Sequence, residues 1–178
     1  MRPNSILYHC NDNVRCQKFL DDQTFMIESK EEGIWLGNGM YFWDNRANAE
    51  FWYRKKQKNQ KDLTIVCSNV YTDYMLDLTD LDICNKMQEL WIFLVEELEL
   101  DNVDKATLGH KLNYLYQYFE KFREEYQIIK VIGKYKKTPP NKFFEYNLNS
   151  AKAEPTTAIK CIYNVKNIKA IATRENLV

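Results

Sequence analysis

Two stretches of the chain hold residue types that do chemistry together. Leu7-Tyr8-His9 ends an apolar run on an imidazole, which hydrogen-bonds through either ring nitrogen and titrates near neutrality. Leu36-Gly37-Asn38-Gly39-Met40-Tyr41-Phe42-Trp43-Asp44 joins two glycines to three aromatic rings. Gly37 and Gly39 suit a turn with positive φ and close backbone approach. Aromatic faces attract cations and stack on planar groups, and Trp52 adds another ring eleven residues after Tyr41. Arg54 to Lys61 (RKKQKNQK) packs five basic residues into eight. Such a tract reads either as the solvated C-terminal end of a helix, where cations offset the dipole, or as a holder of phosphates. Other chemistries lack their parts. The chain has no Gly-x-x-x-x-Gly-Lys phosphate loop and no Gly-x-Ser-x-Gly elbow. Two histidines, His9 and His110, are too few for a His-rich metal site.

The elements that must position these residues follow from periodicity. Ile6 to His9 reads as a strand, residues 13–21 as a short amphipathic helix, and Thr24 to Ser29, by alternation, as another strand. Asp44 or Asn45 caps a helix from Arg46. Leu63 to Val70 is rich in β-branched residues and reads as a strand. Asp82 to Leu98 and Lys105 to Tyr126 read as two long amphipathic helices. Leu90, Phe93, Leu94 and Leu98 share a face of the first; Leu112, Leu115, Phe119 and Phe122 share one of the second. Tyr114 and Tyr118 share another face, a candidate partner surface. Ile128 to Ile132, Ala158 to Tyr163 and Ile168 to Ala172 read as strands. The expected class is α+β, with residues 1–178 forming one domain.

Composition bounds the rest. Of 178 residues, 45% are hydrophobic and 28% charged, enough for a core with a well-solvated surface. Twenty-five basic residues balance twenty-five acidic ones, so net charge gives no long-range steering toward nucleic acid or membrane. Five cysteines, an odd number without close pairs, read as free thiols in a reducing compartment. The start of the chain lacks a signal-peptide apolar region, and Leu90 to Val95 is the longest strictly apolar run. A soluble cytoplasmic protein that does not enter membranes is expected.

The order of these segments resembles the ADP-ribosyltransferase fold, in its diphtheria-toxin and poly(ADP-ribose)-polymerase branch. There the first strand carries a histidine, and a Gly-x-Tyr-Phe segment opens a helix with a second aromatic eleven residues after the tyrosine. His9, Tyr41 and Trp52 stand at those positions. Small bacterial toxin modules with a Leu-Gly-x-Gly-x-Tyr-Phe-Trp core look similar. The resemblance covers residues 6–53 and, less closely, 154–172. It implies a split β-sheet core with a helical insert at about 82–127, and NAD as substrate. It further implies transfer of ADP-ribose to a protein or nucleic-acid acceptor, and a toxin or defence effector held in check by an antitoxin or immunity protein. Tyr41 and Trp52 would sandwich nicotinamide, His9 would bond the adenosine ribose, and the backbone around His9, Cys10 and Gly39 would line the cofactor site. Cys10 stands where the family has glycine. The family's third catalytic position, a glutamate in its most active members, falls on Thr157 by spacing, or on Glu154 if the loop shifts by three residues. If the position is not acidic, the resemblance also admits a module that binds NAD or ADP-ribose without chemistry.

Overall fold

The computed structural model describes residues 2–30, 33, 35–59, 62–101, 103–135 and 156–177. β1 (Asn4–Asp12) runs directly into α1 (Asn13–Asp21), because the Asp12 carboxylate caps the helix by accepting from the Arg15 amide. β2 (Met40–Trp43) follows the glycine turn, and Asn45 caps α2 (Arg46–Lys56), accepting from the Asn48 amide. β3 (Leu63–Tyr71) and the short β4 (Met75–Asp77) lead to α3 (Leu81–Glu97). Asp80 caps α3 through the Asp82 and Ile83 amides. After a 3-10 turn come α4 (Leu108–Tyr118), α5 (Glu120–Glu125) and β5 (Ile128–Lys134). β6 (Ile159–Val165) and β7 (Ile171–Asn176) close the chain.

The seven strands form one sheet in the order β4-β5-β6-β2-β1-β3-β7. β1 and β3 pair along the whole of both strands, from Asn4↔Tyr71 to Asp12↔Leu63. Between β1 and β2, by contrast, a single pair registers, Tyr8↔Trp43. The β2 side of β1 is therefore unregistered beside His9 and Cys10, which stay paired to β3. Period-two alternation sends side chains to opposite faces. Phe42, Ile128 and Tyr163 join Leu7, Phe19 and Val66 in one core, while Trp43, Ile129 and Ile162 face a second core of Trp91, Leu94, Leu112, Leu115 and Phe122 beneath α3 and α4. The helices α3, α4 and α5 fall together in residues 81–125. The mixed α and β content agrees with the expected class.

Several expectations are corrected. Thr24 to Ser29 is not a strand; only Ser29 bridges, to Gly39. Asp22 explains this locally, since its carboxylate takes the Thr24 amide and hydroxyl, and its carbonyl takes the Phe25 amide. Such side-chain bonds compete with a ladder. The segment 105–126 is two helices, broken at Phe119 (φ −111°, ψ 106°). Arg123 makes the break tolerable by donating to the Tyr116 and Gln117 carbonyls that end α4. The last two strands lie apart in the sheet: β6 between β5 and β2, and β7 at the far edge against β3. Residues 168–170 are a 3-10 turn capped by Asn167 rather than strand. On α3 the buried residues are Trp91 and Leu94, whereas Phe93 is 49% exposed and stacks on Phe119.

Candidate functional site

A cavity of about 450 Å3 lies where β1 and β2 part. Its aromatic wall is made by Trp35, Tyr41, Trp43, Trp52 and Tyr135. Its polar side comes from the exit of β1 (His9, Cys10, Asn11), from Arg15 on α1, from Lys56 at the end of α2, and from Glu28 and Ser29. His9, Cys10, Tyr41 and Trp52, far apart in sequence, thus converge on one space.

His9 is held rigidly. Its Nδ1 bonds the Tyr41 carbonyl at 2.6 Å, and a carbonyl only accepts, so Nδ1 carries the proton. Nε2 is then the acceptor for the Asn11 amide at 3.2 Å. Burial pushes the imidazole down to about 4, against the raising effect of the Tyr41 carbonyl, and Lys56 depresses it further. His9 is therefore a neutral, oriented hydrogen-bonding group at neutral pH rather than a proton donor. Its bond to Tyr41 ties the β1 exit to β2 where the backbone ladder is open.

The glycine turn is braced from three sides. The Tyr41 hydroxyl donates to the Gly37 carbonyl at 2.7 Å and accepts from the Leu36 amide at 3.0 Å. Asn113 on α4 accepts from the Asn38 amide at 2.8 Å. The Lys166 ammonium donates to the Leu36 and Asn38 carbonyls and lies 4.9 Å from the Tyr116 ring centroid. Burial pushes Lys166 down to about 7, while Glu28 acts the other way. Gly39 has φ +137°, and a Cβ there would come within 2.3 Å of Asn164 Oδ1 and 2.7 Å of the Val165 carbonyl. Glycine is required at this position because β6 passes too close for a side chain. Gly39 serves the site by placing Tyr41 and is not itself among the cavity's lining residues.

Trp52 stacks on Trp43 with centroids 6.1 Å apart and planes 17° apart, and the Lys55 ammonium sits 4.4 Å from its ring centroid. Tyr135 stacks on Trp35 and meets Trp43 edge-on. Trp35 and Trp43 are parts of the cavity wall. Cys10 is buried against Ala49 and Ile65, and burial raises its thiol, so it acts as a small apolar filler. All five cysteines are free thiols. Of the basic tract, Lys56 reaches the cavity.

The third-position candidates fare differently. Thr157 is half-buried just ahead of β6 and is not among the lining residues. Glu154 lies outside the described residues. Among the described residues, Glu28 is the carboxylate that lines the cavity. Sequence reasoning missed Arg15, Glu28, Ser29 and Tyr135, because nothing in their local spacing tells that a loop and a strand end will fold back beside His9. The neighbour of His9 two places on, Asn11, was legible in principle as a strand-exit amide. His110 is exposed and packs against Gly33, its amide donating to the Gly33 carbonyl. Tyr114 and Tyr118 stack on each other on the outside of α4, 6.0 Å apart.

No helix among the described residues is long and apolar enough to cross a membrane. No protein-family model matches the chain, and no solved structure matches it. A curated relative, an uncharacterized protein of Methanocaldococcus jannaschii, is 25% identical over 138 residues, which is 71% of this chain. The chain spans 63% of that relative's length.

Proposed function

We propose that the protein is a mono-ADP-ribosyltransferase that moves ADP-ribose from NAD to a protein or nucleic-acid acceptor in the cytoplasm. The observation that carries this reading is the convergence of His9, Tyr41 and Trp52 on one aromatic cavity beside the cations Arg15 and Lys56. A planar cationic nicotinamide suits an aromatic wall. The cations Arg15 and Lys56 suit the anionic charge of a dinucleotide. The neutral His9, fixed by two bonds, offers a directed hydrogen bond to a ribose hydroxyl once Asn11 yields Nε2. Cleavage builds positive charge on the ribose, which a carboxylate and oriented dipoles stabilise. Such an activity fits a toxin or defence effector, and its producer would need an antitoxin or immunity protein.

The test is nicotinamide release from NAD by the purified protein, alone and with cell lysate. Lysate-dependent release that Tyr41→Ala abolishes establishes the transferase; a folded protein that releases none in either condition removes it. A second reading, a module that binds NAD or ADP-ribose without reacting, draws on Thr157 not being among the residues that line the cavity. It predicts NAD affinity with no release.

A further inference from the structure

The cavity beside His9 adjoins a second one of about 670 Å3, lined by Phe25, Met26, Lys30 and residues the two share. The shared residues are Arg15, Ile27, Glu28 and Ser29. The two spaces differ in chemistry. The first is walled by aromatic rings, and the second is flanked by the cations Arg15 and Lys30. A ligand with a planar cationic ring at one end and a diphosphate further along would lie across both. Its ring would face Tyr41 and Trp52, its diphosphate would face Arg15 and Lys30, and the ribose between them would rest at the junction.

Glu28 stands at that junction and is the carboxylate that, among the described residues, lines either space. Its backbone is fixed. The Glu28 amide donates to the Met26 carbonyl, and the next residue, Ser29, exchanges both backbone hydrogen bonds with Gly39, at 2.9 and 3.1 Å. Glu28 is thereby fastened beside the turn that carries Tyr41. Its charge is also felt by Lys166, which grips the same turn.

Resting on the transferase reading, we propose that Glu28 is the carboxylate facing the nicotinamide–ribose bond, supplied by the loop after α1 rather than by the segment before β6. In the step it serves, the bond from ribose C1′ to the nicotinamide nitrogen breaks. Its electron pair leaves on that nitrogen, so the cationic ring departs neutral. C1′ gains positive character, which the carboxylate offsets across the junction. The acceptor's nucleophile then bonds to C1′, and its proton passes to Glu28 and on to water.

The deciding experiment compares full-length wild type, Glu28→Gln and Glu154→Gln for nicotinamide release, NAD affinity by calorimetry, and melting temperature. Glu28 is exposed and makes no cap, so an isosteric amide leaves the fold in place. The expected result is a loss of release of roughly 100-fold or more in Glu28→Gln, with NAD affinity within roughly threefold of wild type. Wild-type release in Glu28→Gln overturns the assignment, as does a loss carried by Glu154→Gln instead. A fall in NAD affinity that accounts for the lost release also overturns it, because Glu28 would then bind ligand without acting on the bond. A wild-type protein that binds NAD and releases nothing removes the transferase reading, and this assignment falls with it. That outcome is distinguishable from an active wild type whose Glu28→Gln variant is equally active.

Discussion

His9 and Tyr41 do their work through bonds that a sequence does not display. Because burial lowers the His9 imidazole from 6.5 to about 4, the unfolded chain takes up a proton that the fold excludes. Between those two values the unfolded state holds more protons, so stability is present above about 6.5 and is lost as pH falls toward 4. The loss amounts to roughly 3 kcal/mol once both states are fully protonated. Thermal melts from pH 7.5 to 4 should show this slope in wild type, and His9→Gln, which cannot titrate there, should flatten it. Tyr41 separates into a ring and a hydroxyl. Tyr41→Phe removes the brace to Leu36 and Gly37 but keeps the aromatic face, and should cost about 1–3 kcal/mol of stability. If the ring is what receives nicotinamide, Tyr41→Phe retains more NAD affinity than Tyr41→Ala; equal affinities would assign the role to the brace. The histidine, the glycines, Tyr41 and Trp52 were legible because their types and spacing are unusual. Glu28 was not, because alternation over 24–29 gives an acid there the look of a strand's solvated face; the Ser29–Gly39 bridge is what brings it beside the site.

At the scale of elements, alternation and helical period located β1, α1, β3, α3, β5 and β6 from their apolar residues, and the cap at Asn45 located α2. They failed where a nearby side chain takes over a backbone group. The helix read across 105–126 breaks at Phe119 because Arg123 supplies donors to the last carbonyls of α4. Arg123→Ala should expose that end and lower the melting temperature by about 2–4 °C, measurable by circular dichroism. The alternation over 24–29 is real in the sequence, yet Asp22 takes the amides a strand would have used. The glycine turn, by contrast, depends on distant partners. Gly39→Ala combines a left-handed φ with a Cβ 2.7 Å from the Val165 carbonyl, on a strand that cannot retreat. It should displace Tyr41 and abolish NAD affinity, whereas Lys166→Met should loosen the turn and weaken that affinity without removing it. Titration calorimetry on the two variants orders them.

At the scale of the whole molecule, a net charge of zero hides a division. Residues 80–125, which contain α3, α4 and α5, hold eleven acidic and five basic residues, so the remainder of the chain carries the opposite excess of six. The cavity and its cations Arg15, Lys56 and Lys30 belong to that basic remainder. Net neutrality therefore does not preclude local attraction of an anionic ligand. The cavity also lies where the sheet is least continuous, at the single registered pair between β1 and β2. A ligand that touches His9 and Arg15 on one side and Tyr41 and Trp52 on the other would join the two parts of the sheet that this gap separates. It would bind the folded state alone, because the unfolded chain brings none of these residues together. At one hundred times its Kd such a ligand adds about 2.7 kcal/mol to stability. For a chain of this length that corresponds to a rise in melting temperature of roughly 5–10 °C. Scanning calorimetry with graded NAD should show this rise, and Trp52→Ala should remove it. Because phosphate–cation attraction is screened over about 10 Å at 0.1 M salt and about 3 Å at 1 M, the rise at fixed NAD should shrink as salt increases. A rise indifferent to salt would place the diphosphate away from Arg15, Lys30 and Lys56. No rise at all, in a protein that melts cooperatively, would mean that the aromatic cavity does not receive NAD.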